Sequence, residues 1–233
     1  MKKNLPFQNI VILLIVFTVI VSCARKNYTA ANFEEKTIDH RTVAIVPAEM
    51  IFTGKQPKDL TEEDIIRMEE QESKDFQYAL YNSILRHANT RKYITTVNFQ
   101  DIGTTLKKME ENSIDIRKSW KMSDEELAAK LGVDAIIKMR IQKQRYMSDA
   151  ASYGIDAARR VLGNTGFGSK IPLPNNASKT NDIYASCNLV SENQTLWNDH
   201  YKRASDWDTP ANVIIEGITD NFGKNFPYKK KRK

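Results

Sequence analysis

Ser123-Asp124-Glu125-Glu126-Leu127-Ala128-Ala129-Lys130-Leu131-Gly132-Val133-Asp134-Ala135-Ile136-Ile137-Lys138-Met139 is the stretch on which the architecture turns. Ser123, with Glu126 three residues on, is a capping box and starts a helix. Leu127, Ala128 and Leu131 form the apolar side of that helix, and Gly132 stops it. The period then changes from 3.6 to 2. Over Val133 to Tyr146, Ala135, Ile137, Met139 and Ile141 alternate as one face of a strand. A helix that runs straight into a strand has to lie on the sheet that the strand joins. Ala135, Ile137 and Met139 are therefore expected to be buried against Leu127 and Leu131.

Working outward, Thr42 to Pro47 is a continuous apolar run, the pattern of a strand covered on both faces. Residues 50–60, with Gly54 and Pro57, read as a loop. Thr61-Glu62-Glu63-Asp64 opens a long helix whose buried stripe is Phe76, Leu80 and Ile84, with Ala79 and Ser83 beside it. The acidic first half of this helix, Glu69, Glu70 and Glu72, is expected in solvent. Lys92 to Phe99 reads as a strand and Asp101 to Glu110 as a short helix. Ile183–Val190 and Thr195–Ser205 form a hairpin turning at Ser191-Glu192-Asn193-Gln194. Thr209 caps a last helix with Pro210 at its first position. Val213, Ile214, Gly217, Ile218 and Phe222 are its stripe, and Pro227 ends it. The order β-α-β-α-α-β-insert-β-β-α predicts a single α/β domain, a mixed sheet of about five strands flanked by helices.

The amino terminus has a different character. Lys2 and Lys3 precede an apolar run from Ile10 to Val21, then Ser22 and Cys23, the layout of a secretory signal peptide. The run is shorter than the ~20 residues that span a bilayer. Its ending, Ile20-Val21-Ser22-Cys23, resembles the bacterial lipobox. That resemblance implies cleavage before Cys23 and acylation of its thiol and amine. Two or more acyl chains hold a protein on a membrane durably, whereas one does not. Ala24 follows the cysteine where Asp would retain such a protein in the inner membrane. The implied address is the outer membrane, lipid-anchored on the periplasmic face. The expected organisation is a signal peptide over 1–22, a tether over 23–40, a domain over 41–226 with an insert at 149–182, and a basic tail over 227–233.

The formal charge of +6 falls to +4 once Lys2 and Lys3 leave with the signal. Lys229, Lys230, Lys231, Arg232 and Lys233 account for five of those charges, which leaves the body near −1. The basic balance thus belongs to a tail, and makes no case for nucleic acid. The tail reads as a solvated terminus or as an electrostatic contact for lipid phosphates or an acidic protein. Of the two cysteines, Cys23 is consumed by lipid. Cys187 shares an alternating apolar face with Ile183, Ala185 and Leu189, where burial makes a thiol inert.

Candidate chemistry is sparse. His40, His87 and His200 have no metal-binding spacing, and no Gly-x-Ser-x-Gly elbow occurs. Gly163-Asn164-Thr165-Gly166-Phe167-Gly168-Ser169-Lys170 nearly spells a phosphate loop. Its Ser and Lys stand in reverse order, and it follows a helix over Asp149 to Leu162 instead of a strand. No catalytic, cofactor or metal residue is assigned. Gly163, Gly166, Phe167 and Gly168 remain as interaction candidates in a surface flap.

The strand Val43-Ala44-Ile45-Val46-Pro47, the segment Tyr93-Ile94-Thr95-Thr96-Val97, the helix–strand Glu126 to Ile137 and the Leu196-Trp197 arm together resemble one superfamily. It holds the amino-terminal domain of TolB, the lipoprotein activators of penicillin-binding proteins and the curli-secretion lipoprotein. The resemblance covers roughly residues 41 to 226, and departs from the pattern in the turn Val190 to Trp197, which lacks the usual Gly. It implies a TolB-like sandwich and a non-enzymatic adaptor or assembly protein that docks an envelope protein or copies of itself. Two alternatives stand beside it: a secretion-channel subunit like the curli lipoprotein, and a small-ligand-binding or enzymatic domain using the cleft near 149–182.

Overall fold

The computed structural model describes residues 27–54, 60–164, 179–206 and 208–232, with backbone alone for 158–164. The strands are β1 (Asn27–Thr29), β2 (Thr42–Ile45), β3 (Glu49–Gly54), β4 (Tyr93–Thr95), β5 (Asn98–Phe99), β6 (Ala135–Arg145), β7 (Asn181–Ser191), β8 (Gln194–Ser205) and β9 (Lys229–Lys231). The helices are α1 (Phe33–Lys36), α2 (Glu62–Ala88), α3 (Ile102–Glu111), α4 (Ile116–Lys121), α5 (Asp124–Leu131), α6 (Asp149–Asn164) and α7 (Ala211–Asn225). One mixed 7-stranded sheet runs in the order β1-β8-β7-β6-β2-β5, with β3 also on β6; β4 and β9 form a separate ribbon. The α/β class and the mixed sheet flanked by helices are as expected, but the sheet is wider.

The extra width comes from segments with weak sequence signals. Residues 50–54 are not a loop. Met50 to Gly54 continue the line of β2 along β6 as β3, after a break at Pro47. Ile45 faces Ile137 and Glu49 faces Arg140, four steps on one strand against three on the other, which is a one-residue bulge. Pro47 has no N–H to give and lies inside it, a position that sheets tolerate. Gly54 ends β3 at φ +87°, where an added Cβ would lie 2.0 Å from the Arg145 carbonyl oxygen.

Lys92–Phe99 splits into β4 and β5, because Thr96 gives its N–H to the Tyr228 carbonyl and leaves the main sheet. The expected tether also changes character. β1 pairs antiparallel with β8, and Phe33 of α1 packs on Tyr228, ring centroids 5.5 Å apart. From Asn27 onward the tether is therefore part of the body.

The core has two compartments on opposite faces of β2 and β6. Val43, Ile45, Ala135, Ile137, Met139 and Ile141 face Phe76, Leu80 and Ile84 of α2 and Ile214, Ile218 and Phe222 of α7. Ala44, Val46 and Ile136 face Leu127 and Leu131 of α5. The expected partners of Leu127 and Leu131 were thus one residue out of register. Ile136 is their neighbour, and the alternating set 135-137-139 points to the other layer. The two-sided burial of β2 is as its apolar run implied.

Local signals hold with small shifts. Thr61 and Asp64 form a reciprocal capping box, and the hydrogen bonds from Thr61 and Arg67 lower the Asp64 carboxyl to about 2. Ser123 accepts from the Glu126 N–H, but the return bond is absent and Glu126 pairs with Lys130 instead. Gly132 stops α5 at φ +62°. The last helix starts one residue later than expected, with Pro210 at its N-cap, and Val213 is 42 % exposed while Ile215 is buried. Glu69 and Glu72 are not free in solvent. Glu69 pairs with Arg117 and also accepts the Phe52 N–H of β3, and Glu72 pairs with Lys143.

The hairpin turn explains its missing glycine. Glu192 and Asn193 both take left-handed backbone, φ 50° and 55°, the geometry of a two-residue turn between right-twisted strands. Asn193 accepts this readily; its side chain also bonds the Glu125 backbone N–H (3.2 Å) and carboxylate (3.0 Å) at the start of α5.

Candidate functional site

Three chain segments far apart in sequence meet beside this turn. His40 lies between the N-terminal segment and β2, Ser191 closes β7, and Tyr228 precedes β9. His40 Nδ1 accepts from the Tyr228 hydroxyl, and His40 Nε2 lies 3.3 Å from Ser191 Oγ. Ser191 Oγ donates to the Asp134 carbonyl at 2.8 Å, and the Asp134 carboxylate accepts the backbone N–H groups of Arg41 and Thr42, each at 2.8 Å. Every donor finds an acceptor when His40 is neutral with its proton on Nε2. Burial lowers the His40 pKa against the opposing charges of Asp134, Glu192 and Asp39. Burial and the Asp134 charge push the Tyr228 phenol well up.

A serine beside a histidine invites a nucleophilic reading, but the geometry gives the hydroxyl other work. The Ser191 proton is committed to Asp134, and the third member is a phenol where an orienting carboxylate would stand. The arrangement joins the N-terminal segment, the sheet and the C-terminal strand. The sequence alone does not show it, because His40 ends the expected tether. The signal was Phe226-Pro227-Tyr228 after α7, an aromatic cluster that packs on Trp197, Phe99 and Phe33.

A second polar group holds α7 on the sheet. Asp199 of β8 is fully buried and accepts from Asn221 (3.3 Å), Asn225 (2.9 Å) and the His200 N–H (2.9 Å). Nearby Cys187 is fully buried too, and burial together with the Asp199 charge raises its thiol well above its ordinary value. Asp220 of α7 meets the C-terminal end of α2: burial raises its carboxyl, but His87, Arg86, Lys224 and Ser83 lower it further, so it stays ionised.

The cleft at the base of the insert is small. Arg145, just before the insert, and Asn181, near its end, line a cavity of about 150 Å³ with Phe52, Glu72, Lys143 and Ile214. Its one carboxylate, Glu72, already pairs with Lys143. Small-molecule sites commonly measure ~300–1,000 Å³. Among the described residues, no group of three or more His, Cys, Asp or Glu side chains could hold a metal ion.

Of the residues singled out in the sequence, Cys23, Gly166, Phe167, Gly168 and Lys233 lie outside the described residues. Gly163 lies in the last turn of α6. Lys229, Lys230 and Lys231 are not a free tail: they form β9, paired with Thr95, Ile94 and Tyr93, and the Arg232 N–H bonds the Lys92 carbonyl at 2.9 Å. A run of lysines is a poor strand former, but Tyr228 pins its start and β4 supplies the ladder.

No protein-family model and no curated protein matches the sequence. Among solved structures, the chain is similar to the lipoprotein GNA1162 from Neisseria meningitidis. The identity is 9% and the TM-score 0.42, over 79% of this chain and 96% of that one. The PelC dodecamer from Paraburkholderia phytofirmans aligns at 7% identity and TM-score 0.36, over 79% and 86% of the two chains. The LpoB C-terminal domain from Salmonella enterica aligns at 5% and 0.38, over 71% and 84%.

Proposed function

We propose that this chain is a lipid-anchored protein of the bacterial envelope. Cys23 holds it at the periplasmic face of the outer membrane, where it works as a non-enzymatic adaptor or assembly protein. The observation that carries the reading is the docking of β1 on β8. It brings the residue four positions after Cys23 onto the rigid body, so an acylated cysteine fixes a domain rather than a loose arm. The polar clusters at His40 and Asp199 fit the same role, because each spends its hydrogen bonds on joining elements. The stretch that holds Gly163, Gly166, Phe167 and Gly168 is the proposed partner contact, and the partner is an envelope protein.

Self-assembly is the second reading, favoured by one feature. β1 covers only Trp197 to Asp199 of β8, and among the described residues no strand pairs with the far side of His200 to Ser205. Such an edge is a template for another chain.

The test is cross-linked capture from membranes of the acylated protein, with and without residues 163–177. Loss of one discrete partner, with the melting transition kept, supports the adaptor. Capture unchanged by the deletion contradicts this stretch as the contact. Loss of self-cross-links alone favours assembly.

A further inference from the structure

The β4–β9 ribbon concentrates cations without countercharge. Arg91, Lys92, Lys229, Lys230, Lys231 and Arg232 all lie on its two strands or at their ends. Among the described residues none of the six takes part in an ion pair, whereas the neighbouring Arg86 and Lys224 are both bound to Asp220. Lys230 and Lys231 are exposed, and Lys229 is partly covered. Among the described residues that line the adjoining groove, the one carboxylate is Glu34, exposed on α1.

Apolar groups accompany the charges. Ile94 pairs across the ribbon with Lys230 and is 43 % exposed, and Ile38, on the rim of the same groove, is 79 % exposed. Tyr93 carries the ammonium groups of Lys92 and Lys229 at 5.4 and 5.5 Å from its ring centre. Cations around exposed isoleucines and a tyrosine suit a bilayer interface, where aromatic rings sit at headgroup depth. A purely acidic, polar segment would use the cations and leave the isoleucines in water.

The chain's path brings that surface to a membrane. Thr29 of β1 lines one groove with Lys229 and Lys230. Cys23 precedes Asn27 by four residues, an extended reach of about 14 Å. A lipid on Cys23 therefore tethers β1 to the bilayer, and with β1 the groove that Thr29 shares with Lys229 and Lys230.

We infer that the β4–β9 ribbon is a membrane-docking surface: its cations bind the phosphates of anionic lipid headgroups, and Ile38 and Ile94 enter the interface. Docking would hold the domain in one orientation, with the far end of the sheet turned away from the bilayer. The orienting role rests on the reading of Cys23 as the lipid anchor; the binding surface itself does not.

The experiment separates the two. The chain from residue 23 on, which holds every described element, carries Cys23→Ala so that no acyl chain contributes. It is sedimented with vesicles of phosphatidylcholine alone and of phosphatidylcholine mixed with phosphatidylglycerol. Binding should require the anionic lipid and fall as salt rises. Each basic residue at such a surface is worth about fivefold in affinity, so Lys230→Glu with Lys231→Glu should weaken binding at least ~25-fold. Ile94→Ser should weaken it without changing the salt dependence. All three residues are exposed, and an unchanged melting transition shows that the fold is kept. Equal binding to both vesicle types, or reversal variants that bind like the parent, would overturn the proposal. Binding to polyglutamate with none to anionic vesicles would overturn it in favour of an acidic protein. An unmodified Cys23 in the native protein would refute the anchor alone and leave the vesicle result standing.

Discussion

Replacing Ile137 by Ala tests the layering of the fold, because its neighbour Ile136 belongs to the opposite compartment. Both side chains are fully buried. Each substitution removes three carbons at about 0.8 kcal/mol apiece, ~2.4 kcal/mol of transfer free energy. The cavity left behind brings the cost into the ~2–5 kcal/mol range of such truncations. At roughly 2–4 °C per kcal/mol for a domain of this size, each variant should melt about 10 °C lower. The single losses look alike, so the discriminating quantity is coupling to Leu127. Leu127 and Ile136 share the α5 compartment, and Ile137 packs under α2 and α7. A double-mutant cycle of Leu127→Ala with Ile136→Ala should give an interaction energy of ~0.5–3 kcal/mol, and with Ile137→Ala less than ~0.5. Urea titrations of the five variants and the parent supply the numbers. The reverse order of coupling would show that the faces of β6 are assigned the wrong way round.

Three further outcomes follow from named groups. The His40 pKa is lowered in the fold, so the unfolded chain holds more protons just below the ordinary histidine value near 6.5. Its stabilisation is complete above that value and is lost as pH falls from there toward the folded pKa. Melting followed from pH 7.5 downward should show this slope in the parent, and His40→Gln should remove it. Gly54→Ala forces φ +87° and a Cβ onto the Arg145 carbonyl, so it should cost about 2–4 kcal/mol by denaturant titration; a cost near zero contradicts the β3–β6 geometry. Cys187 should react with a maleimide only when the protein is unfolded, and quick labelling of the native state would mean that β7 is not covered as described.

The helix–strand junction at Gly132, the capping residues Thr61 and Ser123, and the two-sided β2 were legible because each is a local signal. β6 is legible in the sequence, but which face of it α5 covers is not. Adjacency does not decide which side of a strand the preceding helix covers; the turn at Val133-Asp134 does. β3 and β9 were not legible, because each depends on a distant strand. Glu49 to Gly54 needs β6 beside it, and a lysine run becomes a strand only once Tyr228 is seated on Phe33 and His40. The same long-range contacts turned the expected tether into β1 and α1. The His40–Ser191–Tyr228 junction was hidden for that reason too, its members being more than 30 residues apart by any pair.

Everything proposed about location and orientation depends on Cys23. The most direct measurement is the intact mass of the protein extracted from its own cell envelope, with fragmentation of its N-terminal peptide. The account predicts a chain that begins at Cys23 and carries the added mass of a diacylglyceryl thioether, with or without a third acyl group on the amine. A chain that keeps residues 1–22, or begins elsewhere, or bears an unmodified Cys23, would contradict it.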